Sequence, residues 1–261
     1  MSDIQHWLFT VEHHVAVLTL NRPEAKNSIT TGVLSELRTM TAELATDRGV
    51  WAIVLQGQGD HFSIGVDIDL IRSMLDEPER LVREQLSEMQ AALDEFEAVP
   101  KPTIAKLRGF CIGGGLLLAL CCDFRIASRH TVFALPEVKL GIPVLMGTQR
   151  LTQVTGVAAA KELVLLANRF NPETAHRLGL LHRVVPSDQL DAVVAKMADR
   201  FRRLPPTTVA VAKRIINEGS ALSLRQSQDL ELGALAQLLD SHDARKALES
   251  YLAGRESRYV G

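Results

Sequence analysis

A glycine triplet followed by an apolar run is the feature that most limits how this chain can fold. It lies in "GFCIGGGLLLALCCDF", residues 109–124. Three consecutive glycines lose much conformational freedom when they are ordered, so we expect bare backbone to be required at Gly113–Gly115. The run after the triplet holds no acid or base before Asp123 and is too short to span a bilayer. The pattern predicts a buried helix that begins at the glycines.

Two purposes fit glycines at the start of such a helix. The first helical turn leaves backbone N–H groups unpaired, and the helix dipole makes that end partly positive. A glycine lets a ligand oxygen approach the N–H of Gly114 directly. The alternative is close packing of the helix on the strand before it. Neither the G-x-x-x-x-G-K-[ST] phosphate loop nor G-x-G-x-x-G fits this segment.

A second glycine-containing turn, "HFSIGVDI" at residues 61–68, also follows a predicted strand. If the N–H of Val66 pointed into the same space as that of Gly114, the two donors would form an oxyanion hole. Asp67 is expected to cap the helix that starts near Ile68, and direct catalysis by Asp67 is the alternative.

An isolated carboxylate occurs in the apolar segment "FALPEVKLGIP". Glu137 is either an exposed loop charge or a buried acid whose pKa is raised by desolvation. A buried carboxylate would suit proton transfer near neutral pH. The residues alone leave both interpretations open.

Composition argues against several other classes of function. The formal net charge is -2 and the pI is about 6.5, with no long Lys/Arg tract, so nothing favours nucleic acid as a partner. Cys111, Cys121 and Cys122 form no C-x-x-C pair, and we expect buried thiols without a metal or a disulfide framework. The N-terminal residues lack the pattern of a signal peptide, and no membrane segment is expected. The expected location is the cytoplasm.

Strands and helices alternate along the first part of the chain, and helices alone follow. "WLFTVEHHVAVLTLN" predicts a β-hairpin, "ITTGVLSELRTMTAELATD" a helix, and "VWAIVLQG" a buried strand. From Ser187 onward every segment has helical spacing. The pattern predicts an α/β core over residues 1–200 and a helical C-terminal region over residues 201–261.

Five segments in this order resemble one known family. They are "LNRPEAKNSI" (20–29), "FSIGVDI" (62–68), "GFCIGGGLLLALCCD" (109–123), "PEVKLGI" through "GTQRL" (136–151) and "SHDARKALESYLAGRESRY" (241–259). Together they closely resemble the crotonase superfamily, the enoyl-CoA hydratases and isomerases, over nearly the whole chain. The resemblance implies a spiral of ββα units, a C-terminal helical trimerisation region, homotrimers or dimers of trimers, and an acyl-CoA thioester substrate without a further cofactor.

The resemblance also implies roles for particular residues. The backbone N–H groups of Val66 and Gly114 would hold the thioester oxygen while the α-carbon loses or gains a proton. In relatives a basic residue of the last helix reaches the coenzyme A of a neighbouring subunit; this chain has Ala253-Gly254-Arg255 there, so the lysine is missing and only Arg255 remains. The coenzyme A contacts implied here are Arg22, Ala25, Ile64 and Arg255.

Two departures from the hydratase pattern bear on the reaction. Typical hydratases hold one water between two glutamates; Glu137 matches the second, but Leu117 stands at the first and can neither hold nor deprotonate water. Residues 144–146 are bulky where relatives have small ones, which either dries the pocket or repacks a loop. The implied acyl pocket contains Leu117, Val144, Leu145 and Met146.

The departures favour a reaction that needs one carboxylate. Moving a double bond from the 3- to the 2-position of an enoyl-CoA requires one base, for which Glu137 is the candidate. The alternatives are an enoyl-CoA hydratase with a non-standard second group and a non-catalytic acyl-CoA-binding protein. Leu117 favours the isomerase or the binder over the hydratase, and Glu137 favours the isomerase over the binder.

Overall fold

The computed structural model describes residues 4–144, 146–254 and 259, and the predicted site residues Leu145 and Arg255 lie outside them. The strands are β1 (Trp7–Glu12), β2 (Val15–Leu20), β3 (Ala52–Gly57), β4 (Thr103–Leu107), β5 (Phe110–Ile112), β6 (Phe124–Ser128), β7 (Val132–Ala134) and β8 (Arg183–Val185). The helices are α1 (Thr31–Thr46), α2 (Ile68–Ser73), α3 (Glu79–Ala98), α4 (Gly114–Leu120), α5 (Thr148–Leu165), α6 (Pro172–Arg177), α7 (Leu190–Phe201), α8 (Pro206–Gly219), α9 (Leu224–Leu239) and α10 (His242–Leu252).

A larger and a smaller β layer organise the first part of the chain. The larger sheet has the strand order β1-β2-β3-β4-β6-β8, with β1 antiparallel to β2 and the other neighbours parallel. In the smaller layer β5 pairs with β7, and single parallel bridges join Ile29 to Val66 and Ser63 to Cys111. Most passages of the chain give a strand to the larger sheet, a short segment to the smaller layer and then a helix. This repeat confirms the expected spiral of ββα units.

The first elements confirm the periodicity arguments. β1 and β2 form a hairpin in register from Trp7–Leu20 to Glu12–Val15. The apolar positions of α1 lie three and four residues apart, so one face of the helix is buried in the core. The side chain of Thr30 accepts a hydrogen bond from the N–H of Val33 and so caps the N-terminus of α1.

The glycine triplet introduces α4, a helix whose residues are all buried. Gly113 has φ 53° and ψ −128°, a conformation that a side chain would strongly oppose. A Cβ on Gly115 would lie only 2.7 Å from Cβ of Ser63, so this glycine allows α4 to pack on the segment after β3. Close packing therefore explains Gly115, and the other two glycines face the cavity described below.

Helices alone follow β8 within the described residues. α7 packs on the outer face of the large sheet, against Val54, Ile104 and Ile126. Lys213 of α8 lies 2.9 Å from Oδ2 of Asp123 and fastens the later helices to the core. α9 and α10 expose several leucines, namely Leu224, Leu232, Leu235, Leu239, Leu248 and Leu252. No helix in residues 4–144 and 146–254 combines the length and apolar character needed to cross a membrane.

Candidate active site

A cavity of about 280 Å³ opens beside the start of α4. Its walls come from the turn before α2, α2 itself, the segment that joins α2 to α3, α3, the start of α4 and the segment between β7 and α5. It is lined by Ile64, Gly65, Val66, Ile71, Met74, Leu75, Val82, Leu86, Met89, Gly113, Gly114, Leu117, Pro136, Glu137, Leu140, Ile142, Pro143 and Met146. Of these side chains, that of Glu137 alone carries an oxygen or nitrogen atom. The cavity is therefore an apolar chamber with a single acid in its wall.

Glu137 lies at the start of a short 3-10 turn, Glu137–Leu140, directly after Pro136. Its Oε2 is buried and has no hydrogen-bond partner among the described residues. Desolvation by burial raises the pKa of this carboxyl above its ordinary value. Of the two interpretations that the sequence left open, the structure favours the acid with a raised pKa, because Glu137 is partly buried and its Oε2 atom is fully so.

Gly113 provides the room for that carboxylate. A Cβ built on Gly113 would lie 2.6 Å from Oε1 of Glu137, much closer than two such atoms approach in proteins. The positive φ of Gly113 and the hydrogen bond from its N–H to the Ala134 carbonyl, at 2.9 Å, fix this backbone against the acid. The first glycine of the triplet thus allows the carboxylate to reach the cavity.

The N–H groups of Val66 and Gly114 lie close together at the cavity wall. A Cβ on Gly114 would be 3.2 Å from the Val66 nitrogen, and a Cβ on Gly65 would be 3.0 Å from the Gly114 nitrogen. In the described part of the chain neither N–H donates a hydrogen bond to another protein group. Gly114 is the first residue of α4, where helical N–H groups have no partner within the helix. Two adjacent donors are therefore free to bind a ligand atom.

Asp67 has the structural role that the sequence favoured. Its Oδ1 accepts the N–H of Asp69 at 3.1 Å at the start of α2. Its Oδ2 accepts the hydroxyl of Ser28 at 2.8 Å and lies 3.6 Å from Nη2 of Arg22. The Ser28 hydrogen bond, aided by Arg22 and the N–H of Asp69, holds the pKa of Asp67 below its usual range. Asp67 is a charged cap and does not line the cavity.

The residues predicted for the acyl pocket separate into two groups. Leu117 and Met146 line the cavity, and Leu117 is only 2% exposed. Met146 adopts φ 63°, unusual for a side chain of this size, while Nη1 of Arg150 donates to its carbonyl at 2.6 Å. That backbone turns the Met146 side chain inward. Val144 differs from the prediction, because it is buried in the hydrophobic core and is not among the residues that line the cavity.

Comparisons with known proteins identify the family of this chain. A family model described as enoyl-CoA hydratase/isomerase matches residues 10–261. The chain belongs to the enoyl-CoA hydratase/isomerase family. It is 33% identical over 251 residues to crotonyl-CoA hydratase from Syntrophomonas wolfei, covering 95% of both chains. It is 33% identical over 254 residues to enoyl-CoA isomerase/hydratase fer4 from Mycosarcoma maydis, covering 94% of this chain and 92% of the other.

A solved structure shows the same fold. The enoyl-CoA hydratase from Bacillus anthracis superimposes with a TM-score of 0.92 at 29% identity, covering 98% of this chain and 100% of the other. The described chain is thus an α/β crotonase-type fold with C-terminal helices, and this family's members are enzymes named for enoyl-CoA chemistry.

The coenzyme A contacts implied by the family resemblance lie at different places. Ile64 lines the cavity and is 37% exposed, so it sits at the opening. Ala25 ends the 3-10 turn Pro23–Ala25, outside the lining of the cavity. Arg22 directs its guanidinium to Ser28 and Asp67. Arg255 lies outside the described residues. These four contacts stay predictions.

Sequence reasoning named few individual residues of the cavity wall, although the stretch around Ser73 to Arg83 is expected beside the pocket. α2, the segment that joins it to α3, and α3 itself contribute Ile71, Met74, Leu75, Val82, Leu86 and Met89. The signal that could have found them is the helical spacing of these apolar residues within otherwise charged segments. The prediction that the three cysteines are buried is confirmed. Burial raises the pKa of the Cys121 thiol to about 12 and raises those of Cys111 and Cys122 as well, so none is an activated nucleophile.

Proposed function

We propose that this family member isomerises 3-enoyl-CoA thioesters to 2-enoyl-CoA thioesters, with Glu137 as the single acid and base. The observation that carries the proposal is the composition of the cavity wall, in which Glu137 is the one ionisable side chain among the described residues. The Oε2 atom of Glu137 is buried and has no hydrogen-bond partner among the described residues, so the charged carboxylate is poorly solvated and accepts a carbon-bound proton readily.

The proposed reaction moves one proton between two carbons of the substrate. The N–H groups of Val66 and Gly114 bind the thioester oxygen, and ionised Glu137 removes a proton from C2 of the 3-enoyl group. The electron pair delocalises onto the thioester oxygen as a dienolate, which the two donors stabilise. Glu137 then returns the proton to C4, which leaves the double bond between C2 and C3. The reaction requires neither water nor a second acid.

The apolar wall favours an acyl chain without polar substituents. A hydroxyl placed in this cavity would find only Glu137 as a side-chain partner. Burying an unpaired hydroxyl costs roughly 1–3 kcal/mol in proteins. A 3-hydroxyacyl group, the product of hydration, is therefore a poor ligand for the deeper part of the cavity.

The proposal is tested by offering the purified protein two substrates separately. With a 3-enoyl-CoA we expect the absorbance of the conjugated thioester to appear. With a 2-enoyl-CoA we expect that absorbance to persist, because no water is added. Loss of the conjugated absorbance from the 2-enoyl substrate would instead support the hydratase, and no change with either substrate would support a non-catalytic acyl-CoA binder.

The hydratase alternative draws support from the names of several relatives, which include "crotonyl-CoA hydratase". We expect Leu117→Glu to raise the rate of 2-enoyl-CoA hydration above that of the wild type, because the cavity that contains Glu137 then holds a second carboxylate. The matched control is Leu117→Gln, which brings the same size and polarity but no base. Equal hydration rates in both variants, measured by loss of conjugated absorbance, would show that Leu117 does not decide the reaction.

We also propose that copies of the chain associate as trimers or as dimers of trimers through residues 201–261. Support comes from the several leucines that α9 and α10 expose to solvent. Large exposed apolar patches of this kind mark surfaces that bind other proteins. The coenzyme A moiety is proposed to lie across the opening near Ile64 and the turn that ends at Ala25. Light scattering of the purified protein measures the assembly directly.

A further inference from the structure

Arg22, which precedes the 3-10 turn Pro23–Ala25, directs its guanidinium into the protein. Its Nη1 donates to the Ser28 carbonyl at 2.8 Å and to the Ser28 hydroxyl at 3.1 Å. Its Nη2 lies 3.6 Å from Oδ2 of Asp67. Only 21% of the Arg22 side chain remains exposed. Arg22, which the family resemblance implies as a coenzyme A contact, therefore directs these polar contacts to its own chain.

Ser28 links Arg22 to Asp67 and closes a small polar cluster. The hydroxyl of Ser28 donates to Oδ2 of Asp67 at 2.8 Å. Ser28 is only 4% exposed, so a ligand phosphate cannot reach it. We refer to these three residues as the Arg22–Ser28–Asp67 cluster. It joins the loop after β2 to the turn that precedes α2.

The cluster adjoins the two hydrogen bonds that hold Val66. The N–H of Ile29, the residue after Ser28, donates to the Gly65 carbonyl at 2.8 Å, and the N–H of Asp67 donates to the Ile29 carbonyl at 2.9 Å. Both neighbours of Val66 are thus bound to one residue. Because the Gly65–Val66 peptide is planar, a carbonyl that faces Ile29 forces the N–H of Val66 to face the opposite way, towards Gly114.

We propose that Arg22 is a positioning residue that acts through Ser28 and Asp67 to aim the Val66 N–H at the substrate oxygen. This role rests on the oxyanion hole of the proposed function. Arg22 neutralises the Asp67 carboxylate and holds the Ser28 carbonyl, so it keeps the loop after β2 in register with the Gly65–Asp67 turn. Without Arg22, the hydrogen bonds that hold Ser28 and Asp67, on either side of the bridge between Ile29 and Val66, are weakened.

This role and a phosphate contact predict opposite kinetic patterns. A contact with the coenzyme A phosphates is made equally in the ground state and the transition state, so its loss weakens binding and leaves kcat unchanged. A misaimed donor loses an interaction that is strongest when the enolate forms, so its loss lowers kcat. A displacement of about 1 Å in a reacting group can reduce the rate about 10²-fold.

The test compares Arg22→Met and Ser28→Ala with the control Arg38→Met. Arg38 pairs with Glu95 on the exposed side of α1 and α3, outside the lining of the cavity. We expect kcat for 3-enoyl-CoA isomerisation to fall about 10²-fold in Arg22→Met and to fall also in Ser28→Ala. The Kd of free coenzyme A should stay at the wild-type value in all three variants. Thermal melting of each variant shows whether it is folded.

Two results would overturn the proposal: a raised Kd for coenzyme A with unchanged kcat in Arg22→Met, or an unchanged kcat in Ser28→Ala. A spectroscopic measurement separates this proposal from the isomerase reaction. Bound acetoacetyl-CoA should show an enolate absorbance band in the wild type and in Arg38→Met, and a weakened band in Arg22→Met. If the band is weakened in Arg22→Met alone but no 3-enoyl-CoA is isomerised, the positioning role is supported and the proposed reaction is wrong. An equal band in Arg22→Met and wild type contradicts the positioning role.

Discussion

Glu137→Gln is expected to reduce isomerisation of 3-enoyl-CoA by about 10²–10⁴-fold, the usual contribution of a general acid–base group. Glutamine keeps the size and the hydrogen-bonding oxygen of the side chain but cannot take a proton from C2. Binding of a saturated acyl-CoA should change little, because the cavity wall stays otherwise the same. The measurement is kcat from the appearance of conjugated thioester, together with the Kd of the saturated ligand.

The matched control for this change is Glu43→Gln, an exposed carboxylate on α1. Its kcat should equal that of the wild type. Isomerisation by Glu137→Gln at the wild-type rate would remove Glu137 from the mechanism and with it the proposed function. A loss of both activity and ligand binding would mean that the substitution had altered the cavity itself.

Glu137→Gln should also change how the stability of the protein depends on pH, and the burial of Glu137 determines the direction of that change. The pKa of Glu137 is raised in the folded state, so the folded protein binds this proton more tightly than the unfolded chain does. The free energy of unfolding of the wild type therefore falls as pH rises from the unfolded pKa, about 4.3, through the folded pKa. Glu137→Gln lacks this fall. Its melting temperature should rise relative to the wild type over that pH range, and parallel curves would contradict the raised pKa.

Gly113→Ala is expected to lower the rate of isomerisation strongly. The added Cβ would lie 2.6 Å from Oε1 of Glu137 and would displace the carboxylate from its position. The alanine would also adopt φ near 53° with ψ near −128°, which is unfavourable for any residue with a side chain. We expect a loss of kcat of at least about 10²-fold, since misplacing the base by about 1 Å has that effect.

Gly156→Ala is the control that separates strain from displacement of the acid. Gly156 also has a positive φ, 78°, but a Cβ there meets nothing within 4 Å. Both variants should melt at lower temperature than the wild type, and Gly113→Ala alone should lose activity. If Gly113→Ala keeps its kcat, the carboxylate does not depend on the first glycine for its position.

The sequence predicted the parts of the fold that have a clear periodicity. The hairpin of β1 and β2, the buried face of α1 and the apolar helix α4 all follow from side-chain spacing of two or of three to four residues. The single-residue bridges of the smaller β layer were not predictable in this way. The bridges at Ile29, Ser63 and Val66 involve single residues, which are too short to show any alternation.

The sequence predicted site residues whose chemical type limits the roles that they can have. It was less informative where the backbone conformation determines the direction of a side chain. Glu137, Gly114 and Leu117 lie together in one cavity wall. Met146 and Val144 have the same apolar character in the sequence, yet the positive φ of Met146 turns its side chain towards the cavity while Val144 packs into the core. The burial of Arg22 among Ser28 and Asp67 likewise depends on contacts between loops far apart in the chain.

The spiral has a consequence for when this chain acquires a functional site. Val66 follows the passage through β3, Gly114 follows the passage through β4 and β5, and Glu137 follows the passage through β6 and β7. Each of three successive turns supplies one group, and no single turn holds two. A folding intermediate in which only two of these turns have stacked contains a sheet and a core but lacks one of the three groups that the proposed mechanism requires. On that mechanism, isomerase activity reports that all three of these turns have stacked.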